Sequence, residues 1–190
     1  MGEIIEKSLA EAEDMLRHFV SDRNTLEAME SAVAEIVKAF HSGGKLLSCG
    51  NGGSMCDAMH FAEEWSGRFR LDRRPYPAIA LSDPAHMSCV ANDYGYEFVF
   101  SRQVEALAKS GDVLFILTTS GNSPSIVEAA KAARLAGARV IGLLGKGGGE
   151  VRALCDIVIH APGKTSDRIQ ELHMLALHIL IEAAEAQLAP

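Results

Sequence analysis

Short apolar runs alternate with longer helical patterns along most of this chain. The runs lie at 45–49, 78–81, 113–117, 140–144 and 157–159, and segments with helical periodicity separate them. Such alternation is typical of a parallel sheet that is covered by helices on both faces. We therefore predict an α/β fold, a doubly wound domain with about five parallel strands.

Further helices are predicted at both ends of the chain. Residues 4–40 indicate two amphipathic helices with a break near 21–24, and a long last helix is expected from about 165 to 188. Neither a repeat nor a linker divides the sequence. We therefore predict a single domain over 1–190, with an N-terminal helical extension over about 1–42.

Composition narrows the function classes. The formal net charge of -7 disfavours nucleic acid or an anionic membrane as the main partner. No run approaches the ~18–20 apolar residues of a membrane span, and residues 1–10 do not have the apolar core of a signal peptide. The four cysteines form no CxxC pair, and Cys49 and Cys155 are predicted to be buried thiols. These features together predict that the protein is located in the cytoplasm.

Two loops rich in glycine and hydroxyl groups follow predicted strands. Loop 50–54 permits tight turns and leads into a helix whose unpaired N–H groups favour an anion. Loop 118–123 ends with Ser123 before Pro124, which fits a helix N-cap. Because ligands bind at the carboxyl ends of such strands, we predict an anion site there. The alternative is that both loops are ordinary strand-to-helix turns, as we expect for the glycine-rich stretch 145–149.

Side chains capable of acid–base or metal chemistry lie on the helix that follows the first loop. Asp57, His60 and Glu64 are spaced by three and four residues, which places them on one stripe. These residues could share a metal ion or a proton, or they could form a solvated helix face.

The last helix carries three further polar residues among apolar ones, Gln170, His173 and His178. A helix that is apolar nearly all round is usually buried, in a core or a subunit interface. The two histidines lie about 140° apart around the helix axis, so we expect only one to face a given site. Gln170 also fits a capping box with Asp167, in which it would fold back on the helix start.

With these residues the sequence resembles the SIS (sugar isomerase) family, and most closely its phosphoheptose isomerases. The resemblance covers almost the whole chain, and its specific stretches are 48–54, 57–64, 92–93, 119–123, 167–171 and 178–181. It implies the flavodoxin-like SIS fold.

The resemblance also implies roles for individual residues. Glu64 matches a base that acts at carbon, and His178 matches its acid/base partner. One zinc ion per subunit would be bound by His60, Glu64, Gln170 and His178. The implied substrate contacts are Asn51, Gly52, Gly53, Ser54, Glu64, Arg68, Asn92, Asp93, Thr118, Thr119, Ser120, Ser123, Asp167 and Gln170. A glutamate bound to zinc is a poorer base and glutamine is an uncommon zinc ligand, so Glu64 could be base, ligand or each in turn.

The implied reaction interconverts sedoheptulose 7-phosphate and D-glycero-D-manno-heptose 7-phosphate through a cis-enediol. It opens the synthesis of activated heptose for lipopolysaccharide core, S-layer or capsule. The resemblance further implies a homotetramer with sites at subunit boundaries. The alternatives are a SIS protein that binds the DnaA replication initiator, an isomerase of another sugar phosphate, and a sugar-phosphate sensor. The presence of both Glu64 and His178 favours the enzyme.

Overall fold

The computed structural model describes residues 1–70 and 72–188. All strands are parallel and form one sheet in the order β2-β1-β3-β4-β5. The strands are β1 (Leu46–Gly50), β2 (Ala78–Ala80), β3 (Val113–Thr118), β4 (Arg139–Leu144) and β5 (Ile157–His160). This is the strand order of flavodoxin-like doubly wound domains, so the predicted fold is confirmed.

The helices lie between and around these strands, and those at both ends of the chain lie close to their predicted positions. They are α1 (Gly2–Ser21), α2 (Arg23–His41), α3 (Gly53–Ser66), α4 (Pro84–Asp93), α5 (Ser101–Leu107), α6 (Pro124–Leu135) and α7 (Ser166–Leu188). Short 3-10 turns occur at Tyr96–Phe98 and Glu150–Leu154. The predicted break near 21–24 is the junction of α1 and α2, where the Asp22 carboxylate accepts hydrogen bonds from the Asn24 amide and the Thr25 hydroxyl.

Each face of the sheet has its own hydrophobic core. Along β3, Val113, Phe115 and Leu117 face the core that is shared with α1, α2, α3 and α7. Leu114 and Ile116 point the other way, into the core formed with α4, α5 and α6. Burial on both faces explains why this strand is a continuous apolar run rather than an alternating one.

The sheet places the two predicted anion-binding loops side by side. β1 and β3 are neighbours, and Gly50 at the end of β1 is in register with Leu117 near the end of β3. The chain runs from β1 to one side of the sheet and then returns to the other at β3, which makes this junction the topological switch point. Among the described residues, no helix is long and apolar enough to cross a membrane.

Candidate active site

The first loop, Gly50–Ser54, folds tightly between β1 and α3. Gly52 has a φ of +57°, a left-handed conformation that favours glycine. A Cβ at Gly50 would lie 2.4 Å from the main-chain oxygen of Ser54, so this position has no room for a side chain. Ser54 is buried in the first turn of α3, where its amide donates to the Asn51 carbonyl at 3.1 Å.

The second loop, Thr118–Ser123, connects β3 to α6. Thr118 is buried, and its hydroxyl accepts a hydrogen bond from the Gly121 amide at 3.1 Å, which shapes the turn. Ser123 occupies the N-cap position before Pro124, as predicted, but its side chain makes no capping hydrogen bond. The Ser123 hydroxyl is therefore not used by its own helix.

The third glycine-rich stretch, 145–149, turns beneath the second loop. The Val151 amide donates to the Gly121 carbonyl at 3.0 Å, and the Glu150 amide donates to the Asn122 side chain at 3.0 Å. A Cβ at Gly121 would lie 1.8 Å from the Gly148 carbonyl oxygen. The stretch is thus a turn, as predicted, but it also supports the second loop by close backbone packing.

One carboxamide connects the first loop to the start of α6, directly after the second loop. Asn51 Nδ2 donates to the hydroxyl of Ser125 at 3.0 Å, and Asn51 Oδ1 accepts from the hydroxyl of Tyr96 at 3.0 Å. These residues border a cavity of about 400 Å³, which is lined by Asn51, Tyr96, Glu97, Ser123, Pro124 and Ser125. The loops therefore have fixed relative positions beside a space that can receive a ligand.

Two imidazoles and a carboxylate meet where α3 packs on α7. His60 Nε2 lies 3.0 Å from Glu64 Oε1, and the ring centroids of His60 and His178 are 5.2 Å apart. One ligand atom from each of the three residues lies within 4.8 Å of the other two. Phe69 stacks on the outer side of the His178 ring. Two histidines and one carboxylate form a donor set that suits a zinc ion with an open position, so these residues fit a metal site.

Two further side chains, His173 and Asp57, contain buried polar atoms but lie outside that trio. His173 is fully buried, neither ring nitrogen hydrogen-bonds to any of the described residues, and burial lowers its pKa to about 3. One carboxylate oxygen of Asp57 is buried and has no hydrogen-bond partner within residues 1–70 and 72–188, and burial raises the pKa of Asp57 to about 6. His173 and His178 point to different sides of α7, as the sequence predicts. Only His178 faces the stripe of His60 and Glu64 on α3.

Gln170 reaches the start of α3. Its Nε2 donates to the Ser54 hydroxyl at 3.3 Å, and a Cβ at Gly53 would collide with the same amide. Gln170 therefore contacts the first loop instead of folding back on its own helix, so the capping-box hypothesis is wrong.

Other residues that the resemblance implied lie at the surface. Asn92 and Asp93 are exposed at the end of α4 and hydrogen-bond to each other at 2.8 Å. Arg68 and Asp167 are also exposed, and a hydrogen bond from Thr165 lowers the pKa of Asp167. In the described part of the chain, no hydrogen bond or ion pair joins Asn92, Asp93 or Arg68 to the loops or the trio. Their substrate contacts remain predictions.

Sequence reasoning missed three residues that organise the site, Tyr96, Ser125 and Arg73. Tyr96 and Ser125 hold the Asn51 carboxamide. The available signals were their closeness to Asn92–Asp93 and to Ser123 in the sequence. Arg73 donates to main-chain carbonyls at the end of α3, a contact that leaves no pattern in the sequence.

The SIS domain family model matches residues 9–145 of this chain. With the parallel sheet and the two loops at its switch point, this match defines the class: the chain belongs to the SIS domain family.

Individual relatives share almost the entire length of the chain. A curated protein of Photorhabdus laumondii subsp. laumondii, named phosphoheptose isomerase, is 52% identical over 187 residues, which cover 98% of this chain and 97% of that protein. A phosphoheptose isomerase of Vibrio cholerae is 51% identical and covers 98% of each chain. The solved structure of phosphoheptose isomerase from Neisseria gonorrhoeae superposes with a TM-score of 0.91 at 35% identity, and covers 97% of this chain and 98% of that one.

Proposed function

We propose that this chain is a phosphoheptose isomerase, an aldose–ketose isomerase that interconverts sedoheptulose 7-phosphate and D-glycero-D-manno-heptose 7-phosphate. The observation that carries the proposal is the meeting of Glu64 with His60 and His178, on the helix that starts at the first glycine-rich loop. Full-length relatives at about half identity bear that enzyme name. We also propose that residues 1–190 form one SIS domain and that the reaction belongs to activated-heptose synthesis.

The two loops would hold the phosphate. The positive dipole ends at the starts of α3 and α6 favour an anion. Ser54 lies in the first turn of α3 and Ser123 at the N-cap of α6, and Thr119 and Ser120 lie in the loop that precedes α6. Thr118, Asn51, Gly52 and Gly53 complete the proposed loop contacts. Asn92, Asp93, Arg68, Asp167 and Gln170 are the proposed contacts with the rest of the sugar phosphate.

The reaction moves a proton between C1 and C2 through a cis-enediol. Glu64 would take the proton from one carbon and return it to the other, because a carboxylate is a suitable base for this C–H. His178 would move the proton between the two oxygens, since an imidazole can donate and accept near neutral pH. The Glu64 side chain is only 16% exposed, and this seclusion from water protects the enediol from side reactions.

Zinc is the metal that we propose for the trio. His60, Glu64 and His178 would bind it, and Gln170 is the proposed fourth ligand. In the bound state zinc would polarise the oxygens of the carbonyl and the enediolate. In the structure the Gln170 amide lies against Ser54, so joining the metal would require this side chain to turn.

We further propose a homotetramer in the cytoplasm. Ile4, Ile5 and Leu9 of α1 are more than half exposed, and such an apolar surface suits burial against another subunit. A molecular mass in solution near that of one 20.4 kDa chain would contradict the tetramer. All four cysteines are free, which suits a reducing compartment.

The residue-level test replaces Glu64 by glutamine, which preserves size but removes the base. We expect kcat for sedoheptulose 7-phosphate to fall by roughly 10²–10⁴-fold in a coupled assay, the usual range for loss of a general base. Glu63→Gln is the matched control, because Glu63 is the exposed neighbour on the same helix. Unchanged turnover in Glu64→Gln would overturn the assignment of the base.

A further inference from the structure

We infer that Arg73 is a positioning residue for the reaction, which holds the end of α3 against α7 so that Glu64, His60 and His178 meet. Arg73 lies in the connection between α3 and β2, and touches neither the two loops nor the trio's side chains. The inference rests on the proposed function, because it assigns Arg73 a role in that chemistry.

The Arg73 guanidinium connects three separate parts of the molecule. Its Nη2 donates to the main-chain oxygen of Glu64 at 2.8 Å, and its Nη1 donates to that of Trp65 at 2.9 Å. Its Nε donates to the Glu185 carboxylate of α7 at 2.6 Å. The guanidinium also lies over the ring of Tyr76, 5.1 Å from the centroid. A planar fork with five donors can make these contacts at once, whereas a lysine ammonium cannot.

Burial makes these contacts consequential. The Arg73 and Glu185 side chains are 10% and 6% exposed, so neither charge has water as a substitute partner. The last carbonyls of a helix have no partner within the helix, and they form the negative end of its dipole. Without Arg73, the Glu64 carbonyl at the end of α3 would lose this donor, whereas the Trp65 carbonyl would keep the Tyr76 amide. Glu185 would remain buried without a counter-charge. Since Glu64 lies in that last turn, its side chain would no longer be fixed relative to His178.

The position of Arg73 separates chemistry from phosphate binding. The start of α3 contributes the first loop, and Glu64 lies 11 residues further along, about 16 Å at 1.5 Å per residue. Loss of Arg73 should therefore disturb the trio and leave the loops intact. A residue that served only the overall stability would not discriminate between the two ends of the helix.

The chain provides a matched control for this ion pair. Arg70 pairs with Glu182, which also joins the same connection to α7, but these side chains are 60% and 49% exposed. An exposed pair contributes little, because water can replace either partner. Arg70→Gln thus removes a cation from the same segment without removing a buried contact.

The experiment compares Arg73→Gln, Arg73→Lys and Arg70→Gln with the unaltered protein. Three quantities are measured: kcat for sedoheptulose 7-phosphate, the inhibition constant of inorganic phosphate, and the Zn²⁺ affinity of chelator-treated protein by calorimetry. We expect Arg73→Gln to lower kcat and Zn²⁺ affinity by about tenfold or more, as loss of outer contacts to a metal site does. The inhibition constant of phosphate should change less than about threefold, and Arg73→Lys should recover part of the loss.

The outcomes are distinct. If Arg73→Gln folds and keeps both kcat and Zn²⁺ affinity, or if Arg70→Gln loses as much, the role of Arg73 is overturned. If the unaltered protein does not isomerise sedoheptulose 7-phosphate, the proposed function fails, and Zn²⁺ affinity in the same variants still tests Arg73. If Arg73→Gln does not fold, Arg73→Lys is measured in its place. The role of Arg73 is then overturned if Arg73→Lys keeps both the kcat and the Zn²⁺ affinity of the unaltered protein.

Discussion

At the scale of single residues, the Asn51 carboxamide joins the first loop to the 3-10 turn at Tyr96 and to the first turn of α6. Its oxygen accepts from Tyr96 and its nitrogen donates to Ser125, so both ends of the amide are committed to fixed partners. The hydroxyls of Tyr96 and Ser125 together hold the amide in place. Tyr96 is a positioning residue in this account, although it makes no predicted contact with substrate.

Tyr96→Phe removes that hydrogen bond and keeps the ring. A typical net hydrogen bond contributes about 0.5–1.5 kcal/mol. We therefore expect KM and the inhibition constant of phosphate to rise by about 2–10-fold, with kcat nearly unchanged. Steady-state kinetics with inorganic phosphate as inhibitor measure both effects. Tyr94→Phe is the control, because the Tyr94 ring lies under Arg102 and not against Asn51. Equal effects of the two substitutions would contradict the role given to Tyr96.

Sequence reasoning at this scale was limited by contacts between distant segments. The helical period separated His173 from His178 by about 140°, but it could not say which one faces the stripe of His60 and Glu64. Only the family resemblance favoured His178. Arg73 was out of reach for a different reason: its partner Glu185 lies 112 residues away, and its other acceptors are main-chain carbonyls.

At the scale of elements, the sequence predicted the strands well because both faces of the sheet are buried. β3 reads as an uninterrupted apolar run, which is what two-sided burial requires. The start of α3 was harder to predict, because the sequence indicates a loop over 50–54 whereas the helix already begins at Gly53. The left-handed φ of Gly52 turns the chain early, and residue type alone does not reveal where that conformation is used.

The support of the second loop by 145–149 leads to a stability prediction. In Gly121→Ala the new Cβ would meet the Gly148 carbonyl at 1.8 Å, at a φ of +69° that alanine rarely adopts. We expect the free energy of unfolding to fall by more than about 2 kcal/mol, because backbone strain of about 1–3 kcal/mol adds to a clash that flexible side chains cannot relieve. Urea denaturation provides the measurement.

Gly147→Ala measures the effect of backbone strain without a clash. Gly147 has a φ of +85°, but a Cβ there would meet nothing within 4 Å. Backbone strain alone should lower the free energy of unfolding of this variant by on the order of 1 kcal/mol. If both variants are equally stable, the close packing of the two loops is not what requires glycine at 121.

At the scale of the whole molecule, the fully buried His173 should make stability depend on pH. The unfolded chain binds a proton near pH 6.5, whereas the folded pKa of His173 is about 3. Between these values the unfolded state binds more protons, so stability falls as pH decreases from about 6.5. Between pH 7 and pH 5 this one group should reduce the free energy of unfolding by about 2 kcal/mol.

His173→Leu removes the titrating group and tests that value. Urea unfolding of both proteins at pH 7 and pH 5, at equal protein concentration, should show a smaller loss in the variant by about 2 kcal/mol. The raised pKa of Asp57 acts in the opposite direction, but it is present in both proteins and cancels in the comparison. If the stability of both proteins depends on pH in the same way, folding does not lower the pKa of His173.

The account as a whole depends on proton transfer at carbon by Glu64. The most direct measurement is to incubate the unaltered protein and Glu64→Gln with sedoheptulose 7-phosphate in D₂O and to follow the sugar by NMR. We predict that the unaltered protein forms D-glycero-D-manno-heptose 7-phosphate with deuterium at C2, because the proton that the Glu64 carboxylate takes from C1 exchanges with solvent before C2 is protonated. Glu64→Gln should form almost none. Absence of heptose product from the unaltered protein, or equal product from Glu64→Gln, would contradict the account.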